Sequence, residues 1–301
     1  MLARSRSFFA QRDVLEVDCP ALSLSACVDT HIDVMQVQVK EGVVGYLHTS
    51  PEYGMKQLLS QGIGDIYQLS HVFRKEEVGP LHQPEFTMTE WYRCGYTFEA
   101  MIEETLDYIR LFLGDQQALY FDYRKLILTH AGIDYVDATV EQLIECAKQH
   151  KLALSFDTQE WDRDTLLQCL MSFVIEPKLP KDKLSVVRNY PASQAALART
   201  EILDRAEVAK RFEVYFDGIE LANGYHELTD PLEQRRRFEA SNRERQKMGK
   251  APLPVDERLL EALERGLPDC CGVAVGFDRL LLLKHHSRAL TDILPLSIDN
   301  I

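Results

Sequence analysis

Apolar positions along this chain alternate between a spacing of three to four residues and a spacing of two, and the changes of period mark its elements. The opening MLARSRSFFAQR has helical spacing and runs without a break into VLEVDCPAL, which predicts a first core helix feeding a strand. The stretch is also rich in Arg and Ser and free of acid, as transit peptides are, but the continuity of its apolar pattern favours the helix. Ser50-Pro51 opens a helix that should end near Gly62. Residues 65–74 and 85–93 alternate apolar and polar positions, as two strands around a charged loop would. Thr97 begins a long amphipathic helix reaching about Gly114, and from Tyr123 to Pro177 the pattern is helical, with Thr139 and Gln142 spaced as a capping box. In RFEVYFDGIELANGY, Asp217-Gly218 sits between two apolar runs, the signal of a two-residue hairpin. Asp230 and Asp256 cap two later helices, the second stopping at Gly266. GVAVGFDRLLLL reads as a buried strand that turns at a glycine into a helix. Hairpin-joined strands with helices between them predict an α+β fold on a mainly antiparallel sheet.

Composition narrows the functions. The chain has 301 residues, 46% of them hydrophobic, enough for one large globular domain spanning residues 1–301. With 34 basic and 47 acidic residues the net charge is -13, and no Lys/Arg run forms a nucleic-acid arm, so a general polynucleotide binder is disfavoured. Every apolar run breaks before the roughly 18 residues that span a bilayer, so no membrane role is expected. The seven cysteines show no C-x-x-C spacing, which suggests neither zinc nor a disulfide framework and fits a reducing, cytoplasmic setting. The vicinal pair Cys270-Cys271 reads as two small hydrophobes.

The chemistry concentrates in FRKEEVGPLHQPEFTMTEWYR, residues 73–93. Arg74 offers a planar fork for a phosphate or carboxylate, Glu76 an acceptor for an exocyclic amine, and Phe86 a flat face for a purine. Singly, each charge also suits a solvated strand face and Phe86 also suits a core; together they are the parts of a nucleotide site.

Phe-Arg-x-Glu, a loop with His-x-Pro, then Glu-Phe-Thr-Met-x-Glu-x-Tyr resembles motif 2 of the class II aminoacyl-tRNA synthetases, lysyl type. The stretch from Gly272 to Leu280 resembles motif 3, Phe8 to Leu22 a shortened motif 1, and Glu220 to Leu228 the segment before motif 3. The resemblance implies ATP as a substrate. Arg74 would hold the α-phosphate and the amino-acid carboxylate, and Glu76 would accept from adenine. Phe86 would lie under the ring and Arg279 above it, near the γ-phosphate. Lys75, His82, Gln83, Glu220, Leu221 and Gly276 would also contact the nucleotide, and Glu220 and Glu227 would hold Mg²⁺. Ser50, Pro51, Glu52, Glu90, Tyr92, Glu227 and Ala274 would form the amino-acid pocket, although Glu52 equally suits a first-turn residue facing a helix dipole. Lys75 and Gln83 each stand where the family usually has asparagine. Glu220 and Glu227 lie seven apart, so a bend is expected at Asn223-Gly224 if both reach one site.

Lysyl-tRNA synthetases carry an N-terminal anticodon-binding OB-fold, which is not expected here. That architecture is similar to the branch of the family that attaches (R)-β-lysine to a lysine of elongation factor P. Ala274, at the middle glycine position of motif 3, fits the same branch. The implied partners are (R)-β-lysine or lysine, elongation factor P, no tRNA, and a second copy of the chain through motif 1. A reduced tRNA-charging enzyme and a non-catalytic binder of an amino acid or nucleotide remain open.

Overall fold

Described in the computed structural model are residues 1–153, 161–296 and 298, in two units: Met1–Asp115 with His226–Ile301, and Gln116–Tyr225. The first unit starts with α1 (Leu2–Ala10), which leads into the two-residue β1 (Leu15–Glu16) as expected. Its Phe9 is fully buried and stacks on Tyr67 with 4.1 Å between ring centroids. Three strands follow that the periodicity does not announce: β2 (Leu22–Ser23), β3 (Gln36–Lys40) and β4 (Val43–Leu47) form a small antiparallel sheet of their own. Of their residues only Gly45 is buried, so burial imposes little pattern on them.

Helix α2 (Glu52–Leu59) starts where Ser50 Oγ accepts the Glu52 N–H at 3.0 Å, and its chain turns off at Gly62, which takes φ +81°. The charged stretch is the hairpin β5 (Ile66–Phe73) and β6 (Glu85–Cys94), paired from Ile66↔Tyr92 to Phe73↔Glu85, with β1 alongside β5 in parallel. Then α3 (Phe98–Leu113) begins with Thr97 Oγ1 accepting the Ala100 N–H and ends at Gly114.

In the second unit, β7 (Ala118–Asp122) is followed by α4 (Tyr123–Ala131), α5 (Val140–Gln149) with the Thr139/Gln142 capping box formed, and α6 (Arg163–Leu170). Residues 154–160 of the expected helical run lie outside the described residues. β8 (Leu184–Pro191) pairs with β7 in parallel, and β9 (Thr200–Leu203), β10 (Ala206–Phe216) and β11 (Ile219–His226) continue antiparallel. Asp217 and Gly218 both take positive φ, 49° and 74°, the combination a two-residue hairpin turn needs. The helices bury Leu126, Leu143, Leu167 and Ile175 in one cluster with Val187 and Tyr215 of the strands.

The chain returns to the first unit with α7 (Pro231–Lys247) and α8 (Glu257–Gly266), each capped by the aspartate expected of it. Then β12 (Cys270–Gly276) pairs antiparallel with β6 and turns into α9 (Phe277–Lys284). Strand periodicity divides β6 in two. Thr89 and Trp91 bond to Tyr108 and Glu104 of α3, so the odd positions face a helix. Phe86, Met88, Glu90 and Tyr92 occupy the other face, opposite Gly276, Ala274 and Gly272 of β12 at the last three. All seven cysteines are free thiols.

Candidate active site

The Tyr92 end of that β6 face carries a buried acidic cluster. Ser50 Oγ and Tyr92 Oη donate to the Glu90 carboxylate at 2.6 and 2.7 Å. Beside it, Lys56 of α2 places its ammonium 2.7 Å from Glu52 and 2.5 Å from Glu227, with Lys56 1% exposed and Glu227 fully buried. Burial by itself would discharge that ammonium, but the charges of Glu227 and Glu52 more than offset it, and the lysine pKa lies above its ordinary value. Gly272 is what lets the cluster close: a Cβ there would fall 2.3 Å from the Tyr92 ring and 2.5 Å from Glu227 Oε1. Ala274 stands directly across from Glu90, so its methyl borders the same space.

Glu90 has only hydroxyl partners, and burial, then the charge of Glu52, pushes its pKa from 4.5 up to about 8, against the opposing pull of the Ser50 and Tyr92 bonds. The folded chain therefore binds this proton more tightly than the unfolded one. The associated stability is complete below pH 4.5 and is lost as pH rises through about 8. Glu90→Gln, which keeps the shape without the titration, should show a smaller fall in melting temperature between those limits than the parent. Equal falls in both proteins would mean that folding does not raise the Glu90 pKa.

Toward the Phe73 end of the hairpin lie the residues expected around a nucleotide. The Arg74 guanidinium stands 5.1 Å from the centre of the Phe86 ring and 3.6 Å from Glu77, and its buried Nε has no hydrogen-bond partner. An unsatisfied buried donor beside an aromatic face suits an anionic ligand carrying a flat ring. Arg279 donates to His82 Nε2 at 2.9 Å; desolvation and the Arg279 charge hold the His82 pKa below its usual value, so the imidazole is a neutral acceptor. Glu76 takes φ +65° and pairs with Lys75 at 3.0 Å, both exposed in the loop after β5. Gln83 is instead buried, accepting the Ile298 N–H at 3.4 Å. At Gly276 an added Cβ would make only ordinary contacts of 3.5 Å and more with Arg279, so none of the described residues requires glycine there.

In the second unit the bend expected at Asn223-Gly224 falls earlier. The register passes from Val214↔Ala222 to Tyr215↔Glu220, so the extra residue is Leu221, which is buried. This bulge turns Glu220 to the strand face that holds Asn223, because their partners Tyr215 and Glu213 share one face of β10. On that face Glu213 accepts from Arg211, Tyr190 and Tyr215, while Arg211 also donates to Asn223 and feels the charge of Glu220.

A family model described as tRNA synthetases class II (D, K and N) matches residues 1–299. The chain belongs to that family. It is 45% identical over 304 residues to elongation factor P--(R)-beta-lysine ligase of Edwardsiella ictaluri, covering 99% of this chain and 93% of that protein. Proteins of the same name from Salmonella typhi and Yersinia enterocolitica are 44% and 45% identical at the same coverage.

For a class II synthetase the first unit thus brings together Ser50, Glu52, Glu90, Tyr92 and Glu227 at one end of β6 and Arg74 and Phe86 at the other. The metal expectation fits less well. Lys56 already neutralises Glu227, Glu220 lies within reach of the Arg211 charge, and among the described residues no three His, Cys, Asp or Glu side chains form a metal-binding group. Sequence reasoning missed Lys56, Gly272 and the Arg211–Glu213 pair. The Glu52-to-Lys56 spacing of four on a helix was a usable signal for the first; the others depend on pairing between strands.

Proposed function

We propose that this protein activates (R)-β-lysine with ATP and transfers it to a lysine side chain of elongation factor P. The reading is supported by one observation above all. A single face of β6 carries an acidic, hydroxyl-lined cluster suited to amines, and at its far end an arginine over an aromatic ring suited to a nucleotide. The names of the relatives supply the particular substrates.

In the first step a carboxylate oxygen of the amino acid attacks the α-phosphorus of ATP, and the bond to pyrophosphate breaks with its electrons leaving on pyrophosphate. Arg74 faces the negative charge that builds there, and Phe86 and Arg279 hold the base between them. Glu76, Lys75, His82, Gln83 and Gly276 complete the proposed nucleotide side in the first unit. Ser50, Pro51, Glu52, Glu90, Tyr92, Glu227 and Ala274 hold the amino acid, whose ammonium groups meet the carboxylates while its carboxylate is left toward Arg74. In the second step the acceptor's neutral amine attacks the carbonyl carbon of the adenylate, AMP departs, and the amine's proton passes to solvent. Both steps rest on positioning rather than on a protein nucleophile. Mg²⁺ supplies charge neutralisation on the phosphates and would arrive with ATP, held by phosphate oxygens and water more than by a protein cage.

A cytoplasmic homodimer is part of the same proposal. Exposed Leu15 and Leu22 of the motif 1 stretch are available to a second copy, while Phe8 and Phe9 are consumed within the fold. The acceptor is tested by offering purified elongation factor P and total tRNA in parallel, with labelled (R)-β-lysine or lysine. Label is expected on the protein, most with the β isomer. Label on tRNA alone would restore the tRNA-charging reading, which the net charge of -13 disfavours by offering no broad attraction for phosphates.

A further inference from the structure

Three carboxylates, Glu52, Glu90 and Glu227, converge in the first unit, and among the described residues one cation, Lys56, is buried with them. Lys56 lies on α2 with its Nζ 2.7 Å from Glu52 and 2.5 Å from Glu227, while Glu90 is held by the neutral hydroxyls of Ser50 and Tyr92. Buried charges are tolerated when they are paired. Glu90 holds its proton in the empty pocket, and an ammonium arriving beside it favours the ionised form; with every carboxylate then ionised, three negative charges face one positive charge, a deficit of two.

We propose that Lys56 is a specificity-determining and positioning residue: it draws Glu52 and Glu227 onto one ammonium and sets the charge deficit of the pocket to the two ammonium groups of a diamino acid. This rests on the cluster being the amino-acid pocket. A pocket without the internal cation would be matched by three positive charges, and its carboxylates would repel one another out of position. Lys56 makes no contact with the substrate in this scheme. It acts through the two glutamates, whose side chains come from α2 and from the segment after β11.

The experiment compares the parent with Lys56→Met, which keeps the bulk and removes the charge, and with Lys56→Met/Glu52→Gln, which restores a deficit of two. ATP–pyrophosphate exchange of the parent with (R)-β-lysine or lysine is run first and tests the pocket reading separately. Lys56→Met should raise the KM for the amino acid by about 30-fold or more while the KM for ATP stays within about twofold, because the change removes amino-acid binding and leaves the nucleotide end intact. The double variant should recover at least about tenfold of that loss, since its remaining two carboxylates again match two ammonium groups. A Lys56→Met protein with an amino-acid KM within about threefold of the parent would overturn the assignment, as would a folded double variant no better than the single one. If only the double variant folds, an amino-acid KM within about tenfold of the parent supports the assignment and a larger one overturns it. Failure of both variants to fold would make Lys56 a purely structural residue, and the assignment would fall.

Discussion

Arg74→Ala should lower amino-acid-dependent ATP–pyrophosphate exchange by about 10²-fold or more, the effect of removing one preorganised donor worth about 3 kcal/mol at a developing charge. The backbone prepares this residue: the Arg74 N–H donates to the Pro84 carbonyl at 2.8 Å, just beyond the last pair of the hairpin. Its guanidinium is then held beside Phe86, with Glu77 as a loose partner and a buried Nε left unsatisfied. An arginine kept only for stability would have that donor satisfied. The variant should keep its melting temperature, because the side chain is partly exposed and its one ion pair is long. Exchange within threefold of the parent would remove Arg74 from the nucleotide side.

The second large effect is on folding and binding together. Gly272→Ala should destabilise the protein by about 1–3 kcal/mol, the usual result of forcing a methyl group into a packed interior. The placement is severe, because the new carbon would fall 2.3 Å from the Tyr92 ring and 2.5 Å from the Glu227 carboxylate. Either the strands part or those two side chains move. Since both are proposed to hold the amino acid, the KM for the amino acid should rise in the same variant while the KM for ATP changes little. Denaturant titration and steady-state exchange measure the two parts. A variant as stable as the parent, with unchanged amino-acid KM, would show that β12 shifts to make room at no cost.

Local chemistry was legible in the sequence because it acts over a few residues. Thr97, Thr139, Asp230 and Asp256 were recognisable as caps, since each bonds to an amide two or three positions on. Asp217-Gly218 was recognisable as a hairpin because positive φ at both positions is a local demand. Alternation on β5 and β6 marked the hairpin for the same reason, since one of its faces packs on α3. The residues named for the amino-acid pocket came from motif resemblance, and Ser50, Glu52, Glu90, Tyr92 and Glu227 meet in the first unit.

What the order of residues determined, then, is the α+β class, the two hairpins with their flanking helices, and a set of candidate side chains. Only the tertiary structure decided which of them touch. Lys56 reads as half of a routine helical ion pair until Glu227, 171 positions away, arrives on the same ammonium and buries it. Gly272 reads as motif spacing until the register with β6 sets Tyr92 across it. The extra residue in β11 is Leu221 rather than Asn223 or Gly224, because a bulge is a mismatch between two strands and has no meaning in one of them alone.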